Sequence, residues 1–342
     1  MLCLSSCRKD KPDRALISPS VTGGVFVICE GSFGSGNAAL YTINNTHDST
    51  FGDLYAAAND QPLGDVFQSM KHIGDHLFLC INNSDKIIVV NAATLKLVST
   101  IHVPKPRYIL PVSASRAYVS SLYTNKVYII DPQLFTLTDS ISLPYKNTEG
   151  MCIANGSAFI TPWDTACNKI YKTDPITNTT QAIQIGGYAP QAVLADKEQM
   201  LWVLAGNKTQ GKPATLTRLD PSTGNILATY NFPIAADPLK PVWNPAKDTL
   251  YYIEIDYTGS NKNNGIYRMG IHDATLPAQP FITAATNQYY WGLGIDPATG
   301  YIYVGDPKGF IQKGNVMSYK PGGSLISTLS VGLGPGSFYF GE

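Results

Sequence analysis

Short apolar runs separated by polar turns recur along the whole chain, and the stretch from Gly150 to Gly187 shows the pattern most clearly. The first two runs in this stretch are joined by Asn155-Gly156, a pair that tolerates the positive φ of a tight hairpin. The third run ends at Asp174-Pro175, where proline favours a turn. The segment therefore predicts a sheet of four short strands: Gly150–Ala154, Ser157–Pro162, Lys169–Thr173 and Thr179–Ile185.

The third strand of this unit has copies throughout the sequence. Their last residues lie 40 to 50 residues apart, and an apolar second strand precedes each of them. Four-stranded repeats of this length are typical of β-propeller blades, which need neighbours to cover their faces. The copies predict an all-β fold, a seven-bladed β-propeller of four-stranded antiparallel blades, with third strands at Leu40–Asn44, Ile87–Asn91, Val127–Asp131, Ile170–Asp174, Leu216–Asp220, Ile266–Gly270 and Val316–Lys320.

The first blade has no inner strand ahead of its second strand, Val25–Glu30. The end of the chain, from Gly334 to Phe340, repeats the start of other inner strands, such as Gly187–Val193. We therefore expect the C-terminal strand to join the N-terminal blade and to close the ring without an unpaired edge. In this interpretation residues 21–342 form the propeller, and residues 1–20 are a signal remnant and tether.

Composition narrows the classes of function. The 342 residues include 25 basic and 25 acidic side chains, so no nucleic-acid or anionic-membrane partner is expected. No apolar run approaches the length of a membrane span. Cysteines and histidines show no metal-ligand spacing, and a predicted hairpin turn separates His72 from His76. We expect neither a metal nor a cofactor.

The loops that join second strands to third strands are long and varied, whereas the other turns within blades are short. In a propeller these loops share one face with the crossings between blades, and such a face is well suited to binding. Aromatic planes mixed with amides and a few charges favour a large, polar, neutral or weakly charged ligand. The candidate ligand-binding residues on this face and at the channel mouth are Glu30, Phe33, Gln68, Asn82, Arg107, Tyr108, Tyr123, Glu149, Trp163, Asp164, Gln191, Asn207, Lys240, Asp256, Tyr257, Tyr290, Trp291 and Asp306.

Packing between blades is the alternative explanation for each aromatic residue in this set. Trp202 and Trp243 lie within predicted strands, so we expect them in the core. Trp163, Tyr257 and Trp291 flank polar loop residues or glycine, so they are the better candidates for ligand contact.

No sequence motif supports an enzyme. The chain lacks GxSxG, HExxH and P-loop patterns in a fitting context, and the glycine-rich segment Gly31–Gly36 joins two strands and precedes no helix. The blade register also places no histidine beside Glu149, as an acid–base pair at the channel mouth would require. A propeller lyase or a quinone-dependent dehydrogenase is kept as an alternative, and no catalytic residue is assigned.

The N-terminal segment resembles a bacterial lipobox. Leu4–Cys7 has an apolar residue and two small residues before a cysteine, although the basic start and long apolar core of a signal peptide are missing. The polar stretch Arg8–Arg14 would suit a tether. We expect lipidation at Cys7 to anchor the protein in the outer membrane, with no other contact between protein and membrane.

Two segments carry a family resemblance. Val25–Asn44, VFVICEGSFGSGNAALYTIN, looks like the opening of the YncE-like surface propellers of Bacteroides-type bacteria, where an apolar strand leads into Glu-Gly, an aromatic residue and a small polar loop. Gly150–Asp164 resembles the inner-strand unit of the same family, with its Asn-Gly turn and its tryptophan. The resemblance covers the chain from Val21 onward, and Glu30–Gly34 is its most specific part.

This resemblance implies a function as well as a fold. The best-understood members are the BtuG-type lipoproteins, which capture vitamin B12 and related corrinoids at the cell surface and pass them to an outer-membrane transporter. By resemblance, we expect a non-catalytic, lipid-anchored surface protein with a corrinoid as ligand and a TonB-dependent transporter as partner. Arg8–Lys11 lacks the acidic cluster of surface-exported lipoproteins, which leaves the periplasmic face as an alternative location. A protein- or glycan-binding adhesion propeller is the alternative function.

Overall fold

Seven four-stranded antiparallel sheets form the blades of a β-propeller. The computed structural model describes residues 24–208, 211–256 and 263–341. In blades two to seven the strands pair in chain order, from an inner strand at the central channel to an outer strand. The predicted all-β, seven-bladed architecture is confirmed.

The strands are numbered in chain order. The first four blades are formed by residues 25–184, apart from the inner strand of blade one. Blade one contains β1 (Val25–Cys29), β2 (Ala39–Ile43) and β3 (Thr50–Phe51). Blades two to four contain β4 (Phe67–Ile73), β5 (His76–Ile81), β6 (Lys86–Asn91), β7 (Leu97–His102), β8 (Pro106–Ser113), β9 (Arg116–Ser121), β10 (Lys126–Asp131), β11 (Thr136–Ser142), β12 (Thr148–Ala154), β13 (Ser157–Pro162), β14 (Lys169–Thr173) and β15 (Thr180–Gln184).

The C-terminal half of the chain supplies three further blades and one closing strand. Blades five to seven contain β16 (Pro190–Ala195), β17 (Leu201–Asn207), β18 (Lys212–Leu219), β19 (Ile226–Asn231), β20 (Ala236–Trp243), β21 (Thr249–Asp256), β22 (Gly265–Gly270), β23 (Ile282–Thr283), β24 (Gly292–Ile295), β25 (Ile302–Asp306), β26 (Asn315–Tyr319) and β27 (Leu325–Ser330). The closing strand is β28 (Pro335–Phe340).

Strand β28 is the inner strand of blade one. It pairs antiparallel with β1, where Phe338 lies opposite Val27. Beyond the strand, the backbone N–H of Glu30 donates to the carbonyl oxygen of Gly334 at 2.9 Å. The predicted closure by the C-terminal strand is therefore confirmed, and β1 keeps no unpaired edge toward the channel.

Apolar clusters between neighbouring blades hold the ring together. Trp202 and Leu204 of β17, for example, pack against Tyr252 and Met269 of blade six. The second strands are buried on both faces, which explains why they read as continuous apolar runs in the sequence. Trp202 is fully buried and makes an edge-to-face contact with the half-buried Trp243, so both tryptophans pack in the core.

One short helix, α1 (Leu54–Asn59), lies in the crossing from blade one to blade two. The carboxylate of Asp53 accepts a hydrogen bond from the backbone N–H of Ala56 and caps its first turn. Tyr55 anchors the helix by packing into the cluster that contains Phe67. Six residues are too few to produce a helical period, so the sequence did not predict α1. Within the described ranges, no helix has the length and apolarity needed to span a membrane.

Candidate functional site

A cavity of about 570 Å³ occupies the central channel, and all seven inner strands contribute to its wall. Those strands follow one another around the channel in the order β28, β4, β8, β12, β16, β20 and β24. Each inner strand begins on the face that carries the long loops, so the first residues of these strands surround the cavity mouth. The cavity is therefore built by the blade repeat itself.

β-Bulges shape the mouth of the cavity. Inner strands β4, β8, β12 and β16 each shift register with their second strand within their first few residues. A bulge leaves one residue outside the hydrogen-bonded ladder and changes the direction of its side chain. The residues at these four shifts include Gln68, Arg107, Glu149 and Gln191, which all line the cavity.

A charged network joins blades two, three and four across the mouth. The Nε and Nη2 atoms of Arg107 donate to the two carboxylate oxygens of Glu149 at 2.8 and 2.5 Å, and Nη1 donates to the Oε1 atom of Gln68. Burial alone would lower the pKa of the Arg107 guanidinium, but the charge and hydrogen bonds of Glu149 raise this pKa above its ordinary value. Arg107 and Glu149 thus form a bidentate ion pair with no net charge.

A second network joins blades six, seven and one. The indole Nε1 of Trp291 donates to Oε1 of Glu30 at 2.9 Å, and the Lys240 ammonium lies 3.9 Å from the same oxygen and 5.4 Å from the Trp291 ring centroid. Glu30 can reach this place because Gly336 of β28 has no side chain; a Cβ there would lie 2.1 Å from the Glu30 carboxylate. The carboxylate fills the space that a blade-one side chain would take.

Two hydrogen-bonding groups in the cavity wall have no partner among the described residues. These are the indole Nε1 of Trp163 and the hydroxyl of Ser337, both buried from solvent. A buried donor without an acceptor is costly, and such groups call for an explanation in a native structure. By contrast, the amide nitrogen of Gln191 donates to the carbonyl oxygens of Gly206 and Pro238 at 2.9 and 3.3 Å.

The deeper part of the cavity is apolar. Its wall is formed by side chains from five inner strands, namely Met151, Leu194, Val242, Ile295, Phe338 and Phe340. The site therefore combines a polar, aromatic mouth with an apolar floor, as in many cavities that bind small molecules.

The structure brings about half of the predicted site residues together. Those that line the cavity are Gln68, Arg107, Tyr108, Glu149, Trp163, Gln191, Asn207, Lys240 and Trp291. Glu30 contacts two members of this set, as described above.

The other predicted site residues that the structure describes lie away from the cavity wall. Asn82 is buried and donates to the carbonyl oxygen of Pro106, and Tyr290 is buried in the core between blades six and seven. Asp306 accepts from the amide of Gln288, and further side chains cap turns or end strands on the loop face, namely Asp164 and Asp256. Phe33 and Tyr123 are exposed on loops, and Tyr257 lies outside the described residues.

Sequence reasoning missed several residues of the cavity wall. Asp237 is buried there and accepts from the backbone N–H of Lys208 at 3.2 Å. Ser337 and Phe338 follow Gly336 in the closing strand, at the place where other inner strands present cavity residues. The similarity between Gly334–Phe340 and the starts of other inner strands was the signal that could have identified them.

A separate pair of carboxylates lies outside the cavity wall. Glu254 and Asp256 are both buried and alternate on one face of β21. Burial, together with the charge of Asp256, raises the pKa of Glu254 to about 7. Across the described part of the chain, no group of three or more His, Cys, Asp or Glu side chains is placed to hold a metal ion.

Comparisons with known proteins agree with this architecture. A family model described as Domain of unknown function (DUF5074) matches residues 23–331. No curated protein matches the chain.

Solved structures with the same fold include proteins of different names. A quinonprotein alcohol dehydrogenase-like protein from Bacteroides thetaiotaomicron has a TM-score of 0.72 at 15% identity, over 94% of this chain and 79% of that one. A periplasmic gluconolactonase from Pseudomonas aeruginosa has a TM-score of 0.69 at 12% identity, over 93% and 99%. A protein from Lactobacillus plantarum has a TM-score of 0.66 at 14% identity, over 94% and 99%. At these identities the likeness shows the fold alone.

Proposed function

The chain belongs to the family described as Domain of unknown function (DUF5074), and for this member we propose a non-catalytic function, the capture of a small molecule in the central cavity. One observation carries the proposal: all seven inner strands converge on a single cavity of about 570 Å³ that combines a polar, aromatic mouth with an apolar floor.

The ionisable groups of the mouth favour binding over catalysis. A general acid or base must be free to exchange its proton with the substrate. Glu149 accepts two hydrogen bonds from the guanidinium of Arg107, and Glu30 accepts one from the indole N–H of Trp291. Although some structural neighbours are named as a lactonase or as dehydrogenase-like, these carboxylates are already committed to protein partners.

The size and surface of the cavity suit a ligand with a broad, polar face. A volume of about 570 Å³ lies within the usual range for pockets that hold small molecules. Tyr108, Trp163 and Trp291 supply aromatic planes around the mouth, above the apolar floor.

We propose a corrinoid as the first ligand to test, because the chain resembles corrinoid-capturing propellers. A corrinoid is a wide ring with amide groups around its edge, so it could rest across the aromatic and polar side chains of the mouth. The same resemblance supports a lipid anchor at Cys7, a location at the cell surface and transfer to a TonB-dependent transporter. Cys7 lies outside the described residues, so mass spectrometry of the mature N-terminus, with Cys7→Ala as control, tests the anchor.

Retention of colour gives a direct test of the ligand. Purified protein is incubated with cyanocobalamin, desalted and scanned in the visible range, and the affinity is measured by calorimetry. We expect the desalted protein to remain pink and to release heat on titration. The absence of both signals at high protein concentration would remove the corrinoid, and binding to outer-membrane proteins or polysaccharide in its place would support the adhesion alternative.

A further inference from the structure

We infer that Lys240 forms an oxyanion subsite in the cavity, where its ammonium group receives a carboxylate or phosphate group of the ligand. The inference rests on the proposed function, since it assigns a chemical class to part of the same ligand. It follows from the hydrogen bonds that Lys240 lacks, from its backbone conformation and from comparison with a second lysine of the same chain.

The Lys240 side chain is largely shielded from solvent, and its ammonium group makes no hydrogen bond with any other described residue. Its side chain is only 20% exposed, and its closest acidic oxygen, Oε1 of Glu30, lies 3.9 Å away. That distance is beyond hydrogen-bond range, and the same oxygen already accepts the indole N–H of Trp291. The ammonium group therefore keeps its three N–H donors available inside the cavity.

The backbone of Lys240 departs from the pattern of the other blades. In blades two to five the residue just before the inner strand has a positive φ: Val66, Lys105, Asn147 and Ala189. In blade six the positive φ, +53°, falls inside the inner strand at Lys240, directly before Pro241. This conformation is costly for lysine, and the register of β20 shifts at the same point. The positive φ and the bulge together set the direction of the Lys240 side chain.

Lys105 provides an internal comparison. It also has a positive φ and also precedes a proline, Pro106, but its side chain does not line the cavity. Its ammonium group donates to Oδ1 of Asn83 at 3.1 Å and pairs with Asp85 at 3.4 Å. The same dipeptide thus carries a hydrogen-bonded lysine outside the cavity and a lysine without a hydrogen-bonded partner inside it.

The other charges around the cavity leave Lys240 as the place for an anion. Arg107 and Glu149 neutralise each other through two hydrogen bonds. Glu30 and Asp237 are acidic, and each already accepts a hydrogen bond, from Trp291 and from the backbone of Lys208 respectively. Among the cations of the cavity wall, Lys240 alone lacks a hydrogen-bonded acidic partner within the described residues.

Small aromatic probes test the subsite without the natural ligand. Benzoate and phenyl phosphate carry the two oxyanions, and benzamide is a neutral analogue of similar shape; their dissociation constants are measured by ligand-observed NMR. We expect wild-type protein to bind at least one anion about tenfold or more tightly than benzamide, as for a charge-assisted hydrogen bond. The stronger of the two anions identifies the oxyanion class.

Variants assign the preference to one side chain. Lys240→Met should abolish the preference for the anion, Lys240→Arg should retain it, and Lys105→Met, the matched control, should leave it unchanged. Equal binding of anion and amide by wild type, no binding of any probe, or a preference that survives in Lys240→Met would overturn the inference. Because the wild-type comparison needs no variant, misfolding of Lys240→Met does not prevent the test.

The two proposals can fail separately. Cyanocobalamin binding without any preference among the aromatic probes would leave the proposed function standing and remove the oxyanion subsite. Anion preference at Lys240 without cobalamin binding would leave the oxyanion subsite standing and remove the corrinoid as the ligand, and would direct the search toward acidic ligands of another class.

Discussion

The Arg107–Glu149 pair at the cavity mouth allows a quantitative test of how far the mouth is shielded from water. Its two side chains are only 15% and 8% exposed, and two hydrogen bonds join them. Glu149→Gln keeps the shape but leaves the guanidinium without its counter-charge. Arg107→Met removes the cation and leaves the carboxylate buried.

Breaking one partner of a buried ion pair costs about 3–5 kcal/mol, because the remaining charge is left without compensation. We expect each single variant to lose about 3 kcal/mol of unfolding free energy, since both groups are close to fully buried. The double variant Arg107→Met/Glu149→Leu should lose only about 1 kcal/mol, because it leaves no buried charge. The two single losses should therefore not add.

Urea unfolding followed by tryptophan fluorescence measures these losses, and an unchanged slope with denaturant indicates that the extent of unfolding is unaltered. Lys197→Met is the matched control, because the Lys197–Asp248 pair at 3.2 Å is 49% and 34% exposed. An exposed pair should contribute less than about 1 kcal/mol. Single cavity variants that cost no more than this control would refute the argument that the mouth is shielded from water.

Three further predictions concern other parts of the molecule. Trp163→Leu removes an aromatic plane from the cavity wall, so it should weaken cyanocobalamin binding by about tenfold in calorimetry. Trp243→Leu, which removes an indole outside the cavity wall, is its control, and equal effects would argue against a ligand contact. Because the pKa of Glu254 is raised in the folded protein, the stability contributed by its protonated form is present below about pH 4.5 and is lost as pH rises through about 7. Glu254→Gln should therefore stabilise the protein by about 1–2 kcal/mol at pH 8 and by little at pH 5, as measured by urea titrations. A difference between variant and wild type that does not change with pH would contradict this. Deletion of residues 337–342 removes two aromatic side chains that pack on Tyr303 and should cost roughly 5 kcal/mol or more in thermal melts, whereas deletion of residues 341–342 should have little effect.

The architecture could be predicted from the sequence because each blade repeats the same local signals. Turn pairs such as Asn155-Gly156 and apolar second strands fix where strands begin and end, and their copies give the number of blades. The ring closure was predictable for the same reason, since the last strand resembles the other inner strands. Helix α1 was not predictable from the pattern, because a single short turn of helix has no repeat.

The cavity was predictable only in part, because side-chain direction depends on details that a strand pattern does not contain. Tyr290 and Trp291 are adjacent, yet the first is buried between blades and the second lines the cavity, as expected when successive residues of an extended chain point to opposite sides. The contact of Glu30 with Trp291 joins positions 261 residues apart, and it depends on Gly336 in the closing strand β28. No local signal encodes such a contact.

The closing strand also has a consequence for biosynthesis. Because β1 receives its inner partner from β28, the first blade to leave the ribosome is the last to be completed. The intervening blades can assemble as they emerge, but β1 presents an open edge to other chains until the C-terminal residues arrive. A nascent chain is therefore an incomplete ring with one exposed strand edge, and it needs either rapid completion or a chaperone to avoid pairing with its neighbours.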